Sequence, residues 1–362
     1  MNIQIQFSWQ VEFDGKYINV DPVLFDLLSA VEAEGSLQKA VATCGISYRF
    51  AWGLLENWST RLGSALIIKQ RGRGTKLATA GEKLLQTHQQ LQARYAPNLA
   101  NQATEISQQL ARLHQAEQNP HLKIFASHGL AVSALKERLN LVDRSPVELQ
   151  FHGSLESLRA LARGQCDIAG FHLPEGPIGS QLGQQYLQFL SAQKHTLVYL
   201  VRRLQGFMVA KGNPLSIHTL LDLQQKKPKF VNRQKGSGTR LLFDQLIAQH
   251  GISTEQISGY EQEEFTHMAV AAMIASGVAD CGFGIAAAAS RFSLDFVPIQ
   301  WEHYCLAFNT AQMTTKPVQD LLECLVSTEL KTDLGILEGY ELSRSGQLVS
   351  FEEIFPSPPK SA

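Results

Sequence analysis

From Leu122 onward the chain alternates short apolar runs with helical stretches (Leu122–Ala126, Leu130–Leu139, Val147–Phe151, Leu155–Arg163, Asp167–Phe171), and no other feature narrows its fold as far. Five-residue apolar runs are too short to be buried helices. Spaced by helix-length segments, they read as strands of a parallel sheet, covered on both faces by the crossovers that parallel pairing requires. The expected fold class is therefore α/β from about 120 to 355, and ligands of such open sheets bind outside the carboxyl ends of the strands.

Three loops meet that positional requirement. The sharpest is Phe230-Val231-Asn232-Arg233-Gln234-Lys235-Gly236-Ser237-Gly238-Thr239-Arg240-Leu241-Leu242, a strand, a glycine turn and a helix. Gly236 and Gly238 let backbone N–H groups converge, Ser237 and Thr239 add hydroxyls, and Arg233 and Arg240 add charge-assisted donors at a helix N-terminus, the elements of an anion cradle. The spacing is neither a Walker loop nor a dinucleotide fingerprint. Ser127-His128-Gly129 and Gly153-Ser154 each follow a strand in the same way. His128, His172, His195 and His267 lack the short spacings of a metal site, so no metal is expected. Ser127, Cys166 and the Glu261–His267 cluster are the groups an enzyme would use, but no nucleophile elbow accompanies them, and an enzyme is not expected. Glu261, Glu263 and Glu264 read as the acidic start of a helix through Met273.

The first ninety residues have a different grammar. Ile3, Ile5, Phe7, Trp9, Val11 and Phe13 alternate before Asp14-Gly15, a hairpin turn, and Asp21-Pro22 opens a helix that stops at Gly35. Ser36 caps a second helix, Gly45 turns the chain, and Ser47 caps a third through Leu62, giving a helix-turn-helix. Ser47, Tyr48 and Arg49 then stand where a recognition helix meets base edges, while Trp52, Leu55 and Trp58 are expected to pack inward. After Ala65-Leu66-Ile67-Ile68, the loop from Gln70 to Lys76 carries Arg71, Arg73 and Lys76 among glycines, a basic wing suited to phosphates. A Gln/Ala/Leu-rich stretch to about Glu117 reads as a long, broken linker helix.

Net charge is −1, yet between Ser36 and Lys83 eight bases stand against two acids, so the positive charge is concentrated on this segment. Five scattered cysteines with no C-x-x-C pair suit reduced thiols and a cytoplasmic setting. No basic and apolar leader opens the sequence and no apolar run of eighteen residues occurs, so neither export nor membrane insertion is expected.

The hairpin ending in Asp21-Pro22, with Gly35-Ser36-Leu37 and Gly45-Ile46-Ser47-Tyr48-Arg49-Phe50-Ala51-Trp52, resembles the ModE-type molybdate regulators and, more loosely, the LysR-type domain. The wing is shorter than that family's, and Leu37-Gln38-Lys39 replaces its usual small residues. The resemblance implies a homodimer, or a higher homo-oligomer, on a palindromic double-stranded DNA operator, with Ser47, Tyr48, Arg49, Arg71, Arg73 and Lys76 as DNA contacts. Ala126-Ser127-His128, Cys166 to Leu173, Gln205-Gly206-Phe207, Asn232 to Arg240, Gly259-Tyr260-Glu261, Thr266-His267 and Ala279 to Gly282 resemble the type II periplasmic-binding-protein-like domains fused to bacterial regulators. That likeness implies two lobes with crossovers near Val201–Ala210 and Phe296–Phe308, and a cleft lined by Ser127, His128, Ser154, Asn232, Arg233, Ser237, Gly238, Thr239, Arg240, Tyr260 and His267.

The expectation is thus a winged helix-turn-helix over 1–82, a linker and dimerisation helix over 83–119, and a two-lobed sensing domain over 120–355, its second lobe at about 205–295. The whole reads as a one-component transcription regulator without a cofactor that senses a small anion, molybdate or tungstate in the first instance. An organic anion or a molybdenum-cofactor-related ligand is the alternative, ahead of a solute-binding protein or an enzyme.

Overall fold

The computed structural model describes residues 3–70, 74–113, 122–141 and 147–355. The chain divides into two compact units, Gln6–Ala93 and a second comprising Arg94–Ala362 with the residues up to Ile5.

In the first unit β1 (Trp9–Phe13) and β2 (Lys16–Val20) form an antiparallel hairpin. Asp14 and Gly15 take φ of 48° and 72°, the left-handed pair that a tight two-residue turn needs. Three helices follow: α1 (Val23–Glu34), α2 (Leu37–Thr43) and α3 (Tyr48–Leu62). Ser36 and Ser47 cap the last two, accepting from the N–H of Lys39 and of Phe50. Gly35 and Gly63 end α1 and α3 in the left-handed conformation. Leu24, Leu27, Leu28, Val31, Leu37, Ala40, Ala51, Leu55 and Trp58 make the core. β3 (Ile67–Gln70) and β4 (Gly74–Leu77) form the wing, and α4 (Thr79–Leu113) leaves it as one helix through 97, where a break was expected. Gly74 packs so tightly on the end of α1 that a Cβ there would lie 2.2 Å from the Gly35 carbonyl oxygen, and Thr75 N–H donates to that oxygen at 2.8 Å.

Two local expectations fail. The first strand begins at Trp9, not Ile3, because Ile3 N–H donates to Ser107 Oγ of α4 in the second unit. Trp52 is 38% exposed rather than packed inward. The buried stripe of α3 is Ala51, Leu55 and Trp58, at the four-and-three spacing of a helix face, and Trp52 lies one residue off it.

In the second unit β5 (Leu122–Ala126), α5 (Leu130–Leu141), β6 (Val147–Phe151), α6 (Ser154–Ala162), β7 (Ile168–Pro174) and α7 (Pro177–Tyr186) build one lobe. β8 (His195–Val209) carries the chain into the other, made of α8 (Leu220–Lys226), β9 (Phe230–Arg233), α9 (Gly238–Gln249), β10 (Glu263–Glu264), α10 (His267–Ala275), β11 (Cys281–Ile285) and α11 (Ala286–Arg291). β12 (Asp295–Asn309) returns, and α12 (Lys316–Val326), α13 (Thr328–Gly335), β13 (Tyr340–Glu341), β14 (Leu348–Val349) and α14 (Phe351–Ile354) follow. The strands run in the order β10-β9-β11-β8-β12-β7-β5-β6, with β13 and β14 also pairing β8. β5 pairs in parallel with β6 and β7, as β9 does with β10 and β11. β8 and β12 pair antiparallel along nearly their whole length, so these two strands carry both crossovers. Apolar cores lie on both faces of the sheet, around Ile124, Leu135 and Leu306 and around Phe171, Phe207 and Phe243.

The acidic run is not a helix start. Glu263–Glu264 is the edge strand β10, and the helix begins after Thr266, whose hydroxyl accepts from Ala269 N–H at 2.9 Å. Both carboxylates are drawn away from α10, Glu263 to Arg240 and Glu264 to Arg94.

Candidate functional site

The C-terminal ends of β6 and β9 face one another across the two lobes of the second unit. A Cβ added at Gly153 would sit 3.1 Å from the Gly236 carbonyl oxygen, and one added at Gly238 would sit 3.7 Å from Ser154 Oγ. The loops expected from the sequence to line a cleft therefore meet, and the N-termini of α6 and α9 approach one another where they do. A side chain at Gly153 would press on the facing loop, whereas a Cβ at Gly238 would make ordinary contact.

What the lobes enclose is chiefly cationic. Arg203, on β8, is 2% exposed, and its Nε pairs with Glu302 Oε1 directly opposite on β12. Arg233, at the end of β9, is 5% exposed. Its Nη2 donates to Phe265 O at 2.9 Å and its Nε to Gln234 Oε1 at 3.1 Å, and among the described residues no ion pair holds it. Burial, and then the charge of Arg203, lower its pKa to about 9. Of two buried guanidinium groups only Arg203 is thus paired with a carboxylate, and a buried unpaired charge such as that of Arg233 costs free energy unless a further negative charge enters.

Three imidazoles complete the lining. His172 lies beside Tyr304, ring centroids 3.7 Å apart, with Nδ1 3.5 Å from Glu302 Oε1, and His267 Nε2 is 3.4 Å from Thr239 Oγ1. Burial and the charges of Arg203 and Arg233 push both well below the usual histidine range, and burial with Arg233 takes His128 to about 4. All three are neutral at pH 7. Ser127 Oγ, both ring nitrogens of His172, Nδ1 of His267 and the side-chain amide of Gln205 have no hydrogen-bond partner among the described residues. Orphaned buried polar atoms are few in folded proteins, and here several of them, on His172, His267 and Arg203, belong to the cluster around Arg233.

The neutral histidines make stability pH-dependent. A histidine whose folded pKa lies below its unfolded value of about 6.5 keeps its full contribution above 6.5 and loses it as pH falls toward the folded value, because the unfolded chain binds the proton first. For His128 that window runs from about 6.5 to about 4. The expected result is a melting temperature that falls steadily between pH 7 and 4.5, and His128→Gln should flatten the curve. A curve with no slope in that window would mean the imidazoles are not held neutral.

The sequence-predicted residues divide. Ser127, His128, Ser154, Arg233, Gly238, Thr239 and His267 come to the pocket or its rim. Ser154 Oγ accepts from His172 N–H at 3.1 Å, and Ser237 is engaged as the cap of α9. Arg240 is spent elsewhere: its Nε donates to Asp244, its Nη1 to Arg233 O and Glu263 Oε1, and its guanidinium lies 4.2 Å over the Tyr260 ring. Tyr260 in turn donates to Asp244 at 2.7 Å, and Asn232 binds Tyr260 O and Arg233 N–H. These three buttress the loop that presents Arg233. Arg203, Gln205 and Glu302, central to the pocket, were not among the predicted residues. Their one sequence signal is charge inside otherwise apolar strands, Leu200-Val201-Arg202-Arg203-Leu204 and Ile299-Gln300-Trp301-Glu302.

In the first unit Ser47, Tyr48 and Arg49 open α3, with Tyr48 and Arg49 exposed. Lys76 is exposed on β4, whereas Arg71 and Arg73 lie outside the described residues. Lys69 sits 4.1 Å over the Trp52 ring and 6.0 Å over that of Tyr48, a cation on aromatics beside the recognition helix that the sequence reading missed. Ser47, Arg49, Phe50 and Asn57 also line a shallow groove with Asp21.

A model described as a PBP superfamily domain matches residues 137–326. The chain belongs to the PBP superfamily. The matched span covers most of both lobes of the PBP domain. The chain is 30% identical over 228 residues to the uncharacterized protein YvgK of Bacillus subtilis, covering 62% of this chain and 73% of that protein. Over 93 residues it is 37% identical to the molybdenum transport protein ModE of Herbaspirillum seropedicae, a quarter (25%) of this chain and 35% of that one. A solved OxyR mutant of Corynebacterium glutamicum with hydrogen peroxide bound aligns over 88% of this chain and 94% of its own at 15% identity, with a TM-score of 0.42.

Among the described residues no group of His, Cys, Asp and Glu is arranged to hold a metal ion, and no helix is long and apolar enough to cross a membrane. Burial pushes the Cys166 thiol up to about 12, so it stays protonated and is a poor nucleophile at neutral pH.

Proposed function

We propose that this PBP superfamily chain is a one-component, DNA-binding transcription regulator whose cleft takes a small anion. The observation that carries the reading is the pair of buried guanidinium groups, Arg203 and Arg233, of which only Arg203 has an ion-pair partner among the described residues, Glu302. With the imidazoles neutral the pocket holds one net positive charge, and its spare donors, Ser127, His172, Gln205 and His267, suit oxygen ligands. A compact oxyanion suits such a lining because it can accept from several of these donors at once while balancing the excess cationic charge. Molybdate or tungstate leads because of the 93-residue similarity to ModE. An organic anion is the alternative the same charges favour.

In this reading the first unit binds duplex DNA as a homodimer on paired half-sites, which the exposed Tyr48 and Arg49 on α3 and Lys69 and Lys76 on the wing strands support. Lys69 and Lys76 contribute through phosphates, so affinity for a random-sequence 40-base-pair duplex should fall steeply with salt, and Lys76→Ala should reduce the slope of log K against log salt by about 1 per protomer. Arg49→Ala should cost about 1–3 kcal/mol on a specific operator by fluorescence anisotropy. Salt-independent binding, or no binding at 50 mM salt, would remove the DNA assignment.

A further inference from the structure

β6 and β10 are the two ends of the strand order, one in each lobe. Were the sheet flat, strands seven places apart would stand roughly 34 Å from one another, at about 4.8 Å per step. α4 attaches to both. Phe151 N–H of β6 donates to Asn101 Oδ1 at 2.8 Å, and Asn101 Nδ2 donates back to Phe151 O at 3.1 Å, the pairing a neighbouring strand would otherwise supply. Seven residues earlier Arg94 Nε donates to Glu264 Oε2 of β10 at 2.9 Å, while its Nη2 binds Oε1. Seven residues are two helical turns, so both side chains leave the same face about 10 Å apart along the axis. The sheet is therefore curled until its ends can be spanned by two turns of helix.

Both anchor points lead straight into the anion pocket. Ser154 stands three residues after Phe151, and Phe265, Thr266 and His267 follow Glu264, with Arg233 Nη2 bonded to Phe265 O and Gln234 N–H to Glu264 O. We propose that α4 is a strap across the mouth of the cleft, whose simultaneous grip on both lobes is the state that anion binding selects. This rests on the reading of the pocket as the anion site. Opening the cleft separates β6 from β10, and a helix does not stretch, so one anchor must let go. Glu264 is 1% exposed and held through both its oxygens, whereas Phe151 is half-buried, so the Asn101 end yields. α4 continues before Arg94 into the DNA-reading unit, which makes the strap the part of the sensor joined to the reader.

The test uses the full chain. Amide hydrogen exchange is followed by mass spectrometry in wild type, Arg94→Met and the paired variant R94M/E264Q, which leaves no unpaired buried carboxylate. Freeing the far anchor lets the lobes part while Asn101 keeps its grip on Phe151, so exchange over the cleft-side turn 152–155 is expected to quicken at least tenfold in each. Asn101→Ala is expected to quicken exchange over 262–267 in the same way. Calorimetry with molybdate and anisotropy with duplex DNA complete the set: R94M/E264Q still binds molybdate, several-fold more weakly, but molybdate no longer changes its DNA affinity. Unchanged exchange at the distant anchor in R94M/E264Q and N101A, or a wild-type DNA response in R94M/E264Q, overturns the strap. Should wild type bind no molybdate, the anion identity fails, and the exchange comparison still decides the strap by itself.

Discussion

Replacing Arg233 by methionine is expected to weaken anion binding at least about 100-fold and, in the same protein, to raise the melting temperature without ligand. Removing a charge-assisted contact from a buried site costs a complex roughly 2–5 kcal/mol, which is the affinity term. The stability term has the opposite sign. Arg233 is buried without an ion pair among the described residues, and its pKa is lowered to about 9, so the folded chain pays to keep it charged. Methionine fills similar space without that cost, at the loss of hydrogen bonds to Phe265 O and Gln234. A rise of about 3–6 °C corresponds to 1–2 kcal/mol in a domain of this size. Thermal unfolding with and without ligand reads both terms. A variant that loses stability and keeps anion affinity would place Arg233 in the scaffold and not in the site.

The partner substitution, Glu302→Gln, is expected to do the reverse. It keeps the shape of the side chain but leaves Arg203 without its carboxylate, and breaking a buried pair in this way costs about 3–5 kcal/mol. The melting temperature without ligand should drop by about 10 °C. An oxyanion entering the pocket then supplies the missing charge, so saturating ligand should restore more stability to this variant than to wild type. Binding at one hundred times Kd is worth about 2.7 kcal/mol. If added anion fails to rescue E302Q, Arg203 does not face the ligand.

The lobes were legible in the sequence because short strand-like segments are spaced by helix-length stretches; Leu122–Ala126 is mostly apolar, Val147–Phe151 alternates apolar and polar residues, and both stand at their true bounds. The glycines and hydroxyls from Gly236 to Thr239 marked the strand-to-helix turn beside which the structure places Arg233. Arg240 misled for a reason that is spatial. Its neighbours in the chain are the cradle, but its partners, Asp244, Glu263 and Tyr260, are ordered by helix geometry and by a strand 23 residues further on. Arg203 and Glu302 were missed because they lie 99 residues apart and face each other only through the pairing of the two crossover strands. Trp52 was placed inside on a three-residue spacing that drifts around a helix, and Glu264 was given to a helix because only an edge strand with Arg94 above it explains a buried acid there.

The central claim is that the cleft takes an anion between Arg203 and Arg233, and isothermal titration of the full-length protein tests it most directly. Molybdate, tungstate, phosphate and sulfate, with a small carboxylate as the organic arm, are titrated into wild type and Arg233→Met. The account predicts saturable binding of at least one of these anions at one site per chain, with heat that disappears in the variant. No heat from any of them in wild type, or equal binding by the variant, would contradict it.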